Sequence, residues 1–215
     1  MNSPYPTMRY GGRMVINPAE MDALGAYKFA TSLLVPRPIA WVGSRAKNGT
    51  DNLAPFSYFM GVSTRPPSIA ISVARGRKGA LKDTAVNILE TEVFTVSMVS
   101  HHLMTPMVQS SLPHPPDVSE FQATNLEAVD GDLVDAPRPA EVLASMECRL
   151  VHRHDMQSTH LFVGEVLRYH VDDTILRVDD RGHRVVDFQA LDPVGRLGGY
   201  EYCRVTDTFE AKAQK

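Results

Sequence analysis

Short runs of alternating apolar and polar residues follow one another along most of the chain. Alternation with a period of two, together with many β-branched residues, predicts strands that are buried on one face. The predicted strands lie at residues 39–43, 52–62, 69–73, 94–99, 144–152 and 161–171. Many short strands with few helices predict a mainly β fold, a closed or nearly closed antiparallel barrel with helical additions. Strands and helices do not alternate regularly, which argues against a doubly wound sheet.

Helical spacing is clearest between the third and fourth predicted strands. Apolar residues at i, i+3 and i+4 predict a helix over residues 83–91, and Asp83 or Thr84 would cap its N-terminus. A second helix is predicted to begin at Ser100, where Pro106 would end or kink it.

Two residues are expected to interrupt strands. Pro55 cannot donate to a ladder, so its strand must bulge or lie at a sheet edge there. A bulge would free backbone groups to meet a flat polar heterocycle, and the alternative is a proline-marked barrel corner with aromatic core residues. Gly164 is expected to mark a bulge in the last strand.

The remaining segments suggest a simple division of the chain. Residues 1–26 are predicted to form an extended N-terminal arm with a short helical stretch after Pro18, 27–205 the domain, and 206–215 a C-terminal tail. Five prolines frame a long excursion at 112–139, which is predicted to run over the barrel. A connection of this length is usually functional, often a lid or an oligomer contact.

Composition narrows the class of protein. Apolar residues make up 43% and charged residues 22%, which is typical of a soluble globular domain. A net charge of −3 argues against a broad nucleic-acid surface. Cys148 and Cys203 stand far apart, as expected for reduced thiols in a cytoplasmic protein. The chain shows neither a signal-peptide pattern nor an apolar run of roughly 18 residues that could span a membrane.

Several familiar catalytic patterns are missing. The chain carries no phosphate loop of the G-x-x-x-x-G-K-[ST] type and no G-x-S-x-G elbow, which argues against nucleotide hydrolysis by such a loop and against an α/β-hydrolase. The glycine-rich stretch at 195–199 is not followed by a helical pattern, so a dinucleotide fingerprint is excluded in its usual form.

The eight histidines raise a metal alternative. His152 and His154 stand two apart on a predicted strand and would face the same side. With His160 and His170 they would form a cupin-like metal site. The other interpretation, surface or interior histidines without a metal, is favoured because no further ligand stands at a recognisable spacing.

The stretch at 78–87 offers chemistry for a phosphate. A helix N-terminus presents unpaired N–H groups and the positive end of a dipole. Lys78, Lys82 and Thr84 place two cations and a hydroxyl around that end. The alternative is a capped helix with ordinary flanking lysines.

Four blocks together resemble the flavin reductase family, closest to flavoredoxin-like proteins with an FMN-binding split barrel. The resemblance covers residues 27–205 and implies a homodimeric, six-stranded, antiparallel Greek-key barrel that binds FMN. The blocks are Pro36–Val42, Asn52–Phe59, Lys82–Ile88 and Pro193–Gly199.

The resemblance also implies which residues bind the cofactor. Residues 52–58 would line the isoalloxazine ring, the Lys82 block would receive the phosphate, and the stretch at 195–199 would close the site. Arg37 or Arg196 would supply a cation near the ring, and the sequence does not choose between them. No catalytic residue is implied. The full implied set is Arg37, Pro38, Asn52, Leu53, Ala54, Pro55, Phe56, Ser57, Tyr58, Ser72, Val73, Lys78, Lys82, Asp83, Thr84, Asn87 and Arg196.

The function implied by the resemblance is NAD(P)H-dependent reduction of FMN. The nicotinamide would be a transient hydride donor, and the electrons would pass to an acceptor or to a partner such as a monooxygenase. The alternative is a flavoredoxin-like electron carrier with little turnover of its own. Neither nucleic acid nor membrane is expected as a partner.

Overall fold

The computed structural model describes residues 8–10, 12–76, 79–115 and 118–212. The strands in these ranges are β1 (Met8–Tyr10), β2 (Arg13–Val15), β3 (Ala40–Arg45), β4 (Asp51–Phe56), β5 (Phe59–Thr64), β6 (Pro67–Ala74), β7 (Val93–Met98), β8 (Ala128–Asp130), β9 (Pro137–Pro139), β10 (Ala144–Met156), β11 (Thr159–Val171), β12 (Leu176–Val178), β13 (Arg184–Val186), β14 (Val194–Arg196) and β15 (Tyr202–Arg204). The α-helices are α1 (Ala23–Leu33), α2 (Asp83–Thr91), α3 (Met104–Gln109), α4 (Glu120–Ala123) and α5 (Phe188–Leu191). Short 3₁₀ helices lie at Pro18–Glu20, His101–Leu103 and Asp173–Ile175.

One antiparallel sheet of seven strands organises the fold, in the order β4-β3-β7-β10-β11-β6-β5. Its two edge strands, β4 and β5, are consecutive in the chain and are joined by only Ser57 and Tyr58. The edges therefore lie next to each other, and the sheet curls around a core, although no ladder joins β4 to β5 in the described ranges. The mainly β prediction is confirmed. The sheet has seven strands rather than six because the predicted strand at 52–62 is divided at Ser57 and Tyr58.

Inward-facing residues of β3, β6, β7 and β11 fill the core. Phe94 of β7 is fully buried and approaches β11 so closely that a Cβ on Gly164 would lie 2.6 Å from its Cζ. The register between β10 and β11 shifts after Leu150, which pairs with Gly164. The extra residue at this shift is Val151 of β10, so the bulge expected at Gly164 in β11 is absent. The Phe94 ring explains why a side chain is not tolerated at Gly164.

Helix α2 has the predicted bounds, but its predicted cap is wrong. The N-cap residue is Lys82, and it makes no side-chain capping bond. The second predicted helix begins after Ser100 as a 3₁₀ turn and continues as α3 through Pro106. Pro106 does not end the helix because it lies in the first turn, where backbone N–H groups have no intrahelical partner.

The short helical stretch predicted after Pro18 is present as the 3₁₀ helix at Pro18–Glu20. Helix α1, which spans residue 26, the expected end of the arm, was not predicted. Asp22 caps it by accepting a hydrogen bond from the backbone N–H of Gly25 at 2.5 Å. Thr31 is the buried residue of the helix, whereas the apolar residues of the helix are largely exposed. The helix therefore lacks the buried apolar stripe that sequence periodicity detects.

The division into arm, domain and tail stays a prediction. Within the described residues, no helix has the length and apolar character needed to cross a membrane.

The predicted excursion at 112–139 contains α4 and the pair β8–β9, and it is fastened to the barrel. Arg45 of β3 forms salt bridges with Asp51, Asp130 and Asp135, two of which belong to the excursion. A Cβ on Gly43 would lie 1.9 Å from the carbonyl oxygen of Pro137, so β9 packs directly on the backbone of β3. These contacts fix the excursion against one side of the sheet.

Candidate functional site

A groove follows β4 from the start of α2 to the hairpin formed by β14 and β15. It consists of two adjoining clefts of about 330 and 170 Å³, which share Pro55, Phe56 and Ser111. We call the larger one the helix cleft; its walls are β4, the residues 81–84 and the residues 110–114. We call the smaller one the hairpin cleft; it is lined by Tyr27, Ile39, Ser57, Met107, Arg196 and Tyr202 in addition to the shared residues.

The helix cleft contains the beginning of α2. The Lys82 ammonium group lies over the Phe56 ring, 5.6 Å from its centroid. Because no side chain caps α2, its first amides remain able to donate to a ligand. Asp83 is exposed at the same end and does not cap the helix, contrary to expectation. Lys78 lies outside the described residues.

A buried chain of hydrogen bonds connects β3, β4 and α2 beneath this cleft. Asn87 Nδ2 donates to Ser44 Oγ at 3.1 Å. Asn52 Nδ2 donates both to Ser44 Oγ at 3.2 Å and to Thr84 Oγ1 at 2.9 Å. All four side chains are buried. Thr84 Oγ1 therefore accepts from Asn52, and in the described chain its own hydrogen is not donated to any protein atom.

The expected bulge at Pro55 is absent. Pro55 pairs with Trp41 in an unbroken register between β3 and β4, and β4 is an edge strand. The edge alternative is therefore the right one. The backbone N–H of Leu53, two residues before Pro55, points away from β3 and donates to Glu120 Oε2 at 2.9 Å. Pro55 lies on the same side, where a missing N–H costs no ladder bond.

Arg37 and Arg196 have different surroundings. The guanidinium of Arg37 is buried and donates to the carbonyl oxygens of Thr31, Leu34 and Leu197 and to the Ser57 hydroxyl. It joins the end of α1 to the loop after β14. Arg196 lines the hairpin cleft instead, with its guanidinium 4.4 Å from the centroid of the Tyr202 ring. Of the two arginines, Arg196 is the one whose side chain lines the groove.

Some of the implied residues do not line the groove with their side chains. Leu53 and Val73 are fully buried in the core, so any contact with a ligand there is left to their backbone. Pro38 is exposed and lies outside both clefts. Tyr58 and Ser72 line a separate, more apolar cleft of about 480 Å³ beside Arg37 and Ser57.

The four histidines of the metal alternative do not come together. Within the described residues, the group that could hold a metal consists of Asp132, Glu147 and His170, which excludes the other three histidines. Glu147 is fully buried, and its carboxylate accepts hydrogen bonds from the backbone of 132–134 and pairs with His170 Nε2 at 2.6 Å. These bonds hold the pKa of Glu147 below its usual value despite burial. The group fastens the excursion to β10.

Sequence reasoning missed the wall of the helix cleft that faces α2. It consists of residues 110–114, which follow α3 and enter the excursion, together with Glu120 of α4. Burial raises the pKa of the Glu120 carboxyl, and the hydrogen bond from Leu53 opposes this effect. The signal was the proline-framed length of the excursion, which indicated function without indicating particular residues. Ser44 was also missed, because a single serine on a strand belongs to no motif.

Comparison with known proteins identifies the family. The flavin reductase like domain matches residues 32–185, which is most of the chain. The chain belongs to the flavin reductase-like family. The match includes all of β3 to β11 and the whole of the helix cleft, whereas Tyr27, Arg196 and Tyr202 of the hairpin cleft lie outside it.

Three solved structures resemble this chain over most of its length. Component B of nitrilotriacetate monooxygenase from Bacillus cereus is 30% identical, with a TM-score of 0.86 over 94% of this chain and 100% of that chain. The flavoredoxin of Desulfovibrio vulgaris is 28% identical, with a TM-score of 0.71 over 84% and 92% of the two chains. A Shewanella frigidimarina protein, assigned as a flavin reductase with a split barrel domain, is 23% identical with a TM-score of 0.79 over 92% and 96%, which speaks for the fold alone.

The protein is thus a split-barrel member of the flavin reductase-like family, and its role is flavin-related redox chemistry.

Proposed function

We propose that the groove along β4 binds FMN and that the protein is an NAD(P)H-dependent flavin oxidoreductase. The observation that carries this proposal is the buried chain Asn87–Ser44–Asn52–Thr84, which ends in a hydroxyl at the start of α2 beside Lys82. Such a chain fixes the position of the hydroxyl before a ligand arrives, and preorganised donors are what an anionic group requires.

The phosphate would lie in the helix cleft. A phosphomonoester carries about −1.5 to −2 charges near neutral pH. The start of α2 supplies amide donors and the positive end of its dipole, Thr84 supplies a hydroxyl, and Lys82 supplies a cation. Asp83 is an unfavourable neighbour for an anion, but it is exposed and can turn toward water. This end of the groove favours FMN over riboflavin.

The ring would lie along the edge of β4, from the shared residue Phe56 into the hairpin cleft. When bound, the flavin supplies the hydride and electron chemistry. The protein orients it: the β4 backbone and Ser57 offer hydrogen-bonding groups, and Arg196 offers a positive charge. Tyr27 and Tyr202 line the same cleft and provide aromatic surface for a planar nicotinamide donor. The reduced protein would pass its electrons to a small acceptor or to a partner protein.

The similarity to component B of a monooxygenase supports a partner that uses reduced flavin. The similarity to a flavoredoxin supports the second candidate, an electron carrier with little turnover of its own. Free Cys148 and Cys203 are consistent with the reducing cytoplasm as the place of action.

One experiment separates the candidates. The purified protein, loaded with FMN, is scanned for flavin absorption and then mixed anaerobically with NADH or NADPH. Rapid bleaching followed by repeated turnover with added FMN supports the reductase. Bound flavin that resists both nicotinamides but accepts electrons from dithionite supports the carrier. A protein that binds no flavin at micromolar concentration contradicts both.

A further inference from the structure

Arg37 is a buried cation without a carboxylate partner. The residue is only 7% exposed, and within the described ranges no salt bridge joins it to an acidic side chain. Its acceptors are all neutral: the carbonyl oxygens of Thr31, Leu34 and Leu197 and the hydroxyl of Ser57. Arginine is almost never this deeply buried without a charged partner, so the position calls for an explanation.

The fold accounts for three of the four bonds. The carbonyls of Thr31 and Leu34 lie at the C-terminal end of α1, where the negative end of the helix dipole favours a cation. The bond to Leu197 joins the helix to the loop after β14. The fourth bond runs from Nε to Ser57 Oγ at 3.3 Å, and it connects the cation to the turn between β4 and β5.

Ser57 carries the effect of this cation into the groove. Its Oγ accepts from Arg37, and in the described chain its own hydrogen is not donated to any protein atom. Ser57 is half-buried and lines the hairpin cleft, into which the ring is proposed to extend. None of the described residues that line this cleft is acidic. A hydroxyl that accepts from a cation is a stronger donor in turn, because linked hydrogen bonds polarise one another.

We propose that Arg37 is a positioning residue for flavin reduction: it holds Ser57 as a hydrogen-bond donor to the ring and thereby favours the reduced ring over the oxidised one. A hydride that reaches a flavin leaves negative charge on the ring, and nearby hydrogen bonds and charges tune its electronics. A donor that is fixed in advance stabilises such charge without reorganising. This inference rests on the proposed function and names the residues that set the reduction potential of the same site.

The test is the two-electron reduction potential of FMN bound to each protein, measured by anaerobic dithionite titration against a reference dye. This readout requires neither a nicotinamide nor turnover. The variants are S57A, R37M, R37K, the double variants R37M/S57A and R37K/S57A, and the control R204M. Arg204 lies on β15, outside both clefts, and its charge is already paired with Asp192.

S57A is expected to lower the ratio of affinities for reduced and oxidised FMN roughly tenfold, which is about 30 mV for a two-electron couple. R37M should lower the potential at least as much. R37K should restore part of the loss, since an ammonium group keeps the charge but its three donors cannot serve four acceptors. R37M/S57A should lie no lower than R37M, because contacting residues that act together are not additive. R204M should keep the wild-type potential.

A wild-type potential in S57A would overturn the inference. So would losses in R37M and S57A that simply add, since Arg37 would then act without Ser57, and so would an equal shift in R204M. If R37M does not fold, R37K and R37K/S57A replace it in the same comparison, and a wild-type potential in R37K then contradicts the inference. A wild type that binds no flavin refutes the proposed function itself, whereas bound flavin with the same potential in wild type and S57A refutes only the role of Arg37.

Discussion

The backbone N–H of Leu53 donates to Oε2 of Glu120 at 2.9 Å, and this bond joins an edge strand of the sheet to the excursion. On an edge strand such an N–H has no neighbouring strand to pair with. Glu120 takes the place of that neighbour, since its buried carboxylate lies alongside β4 and lines the helix cleft. The strand proposed to carry the flavin ring is therefore held from both sides, by β3 and by α4.

Glu120→Ala leaves the Leu53 N–H buried without a partner. We expect the free energy of unfolding to fall by about 1–3 kcal/mol, the usual cost of such a group. Glu120→Gln keeps an oxygen acceptor and should lose much less. Chemical denaturation of the three proteins measures the difference, and equal losses in both variants would show that the bond to Leu53 is not what stabilises β4.

The pH dependence of the same pair gives an independent check. Burial raises the pKa of Glu120 above its ordinary value of 4.5, so the folded chain binds this proton more tightly than the unfolded chain does. The stability of the wild type must then fall, relative to a side chain that does not titrate, as the pH rises above 4.5 toward neutrality. The melting temperature of Glu120→Gln minus that of wild type should accordingly increase over this interval. The titration of the other carboxylates affects both proteins equally and cancels in this difference. A difference in melting temperature that does not change with pH contradicts the raised pKa.

Much of the fold was predictable because local pattern and tertiary structure agree. The alternation over 69–73 and 94–99 predicted β6 and β7, and helical spacing predicted α2 to the residue. Helix α1 escaped because its apolar residues stay exposed, so no buried stripe marks it. Its outer residues include Leu24, Tyr27, Phe29 and Leu33.

The site was only partly predictable, for a different reason. Lys82 and Thr84 lie at a helix start, a local feature that carries its own chemistry. Ser44 contributes through a hydrogen bond with Asn87, 43 positions away along the chain, and no local pattern encodes such a contact. The sequence limited Pro55 to a bulge or a sheet edge, and choosing the edge required the strand order.

Ser44→Ala tests the buried chain beneath the helix cleft. The change removes the common acceptor of the Asn52 and Asn87 amides. We expect the free energy of unfolding to fall by about 1–3 kcal/mol and FMN affinity to fall with it, because Thr84 loses its fixed orientation. Ser63→Ala on exposed β5 is the matched control. Normal FMN affinity in a destabilised Ser44→Ala protein would show that these hydrogen bonds stabilise the fold but do not position the phosphate site.

A homodimer is expected from the exposed apolar surface of α1 and β5. Met60 and Val62 on edge strand β5 are 61% and 50% exposed, a poor arrangement for an isolated subunit. Light scattering should give about twice the chain mass of 23.8 kDa. The double variant Met60→Glu/Val62→Glu should be monomeric, whereas Val178→Glu on exposed β12 should remain a dimer. A monomeric wild type that binds FMN tightly would refute the expectation.

Lys82→Ala tests the phosphate end from the side of α2. Lys82 is exposed and stacks over Phe56, so its charge reaches the cleft without being deeply buried. We expect roughly tenfold weaker FMN binding, taking the lower end of what a hydrogen bond to a charged group contributes. Riboflavin should be affected far less, and the difference should shrink as salt screens the attraction. Lys47→Ala, an exposed lysine outside both clefts, is the control. Titration of FMN and of riboflavin into each protein at low and at high salt measures these affinities. Equal losses for FMN and riboflavin, unaffected by salt, would mean that Lys82 acts through its packing on Phe56 rather than through the phosphate.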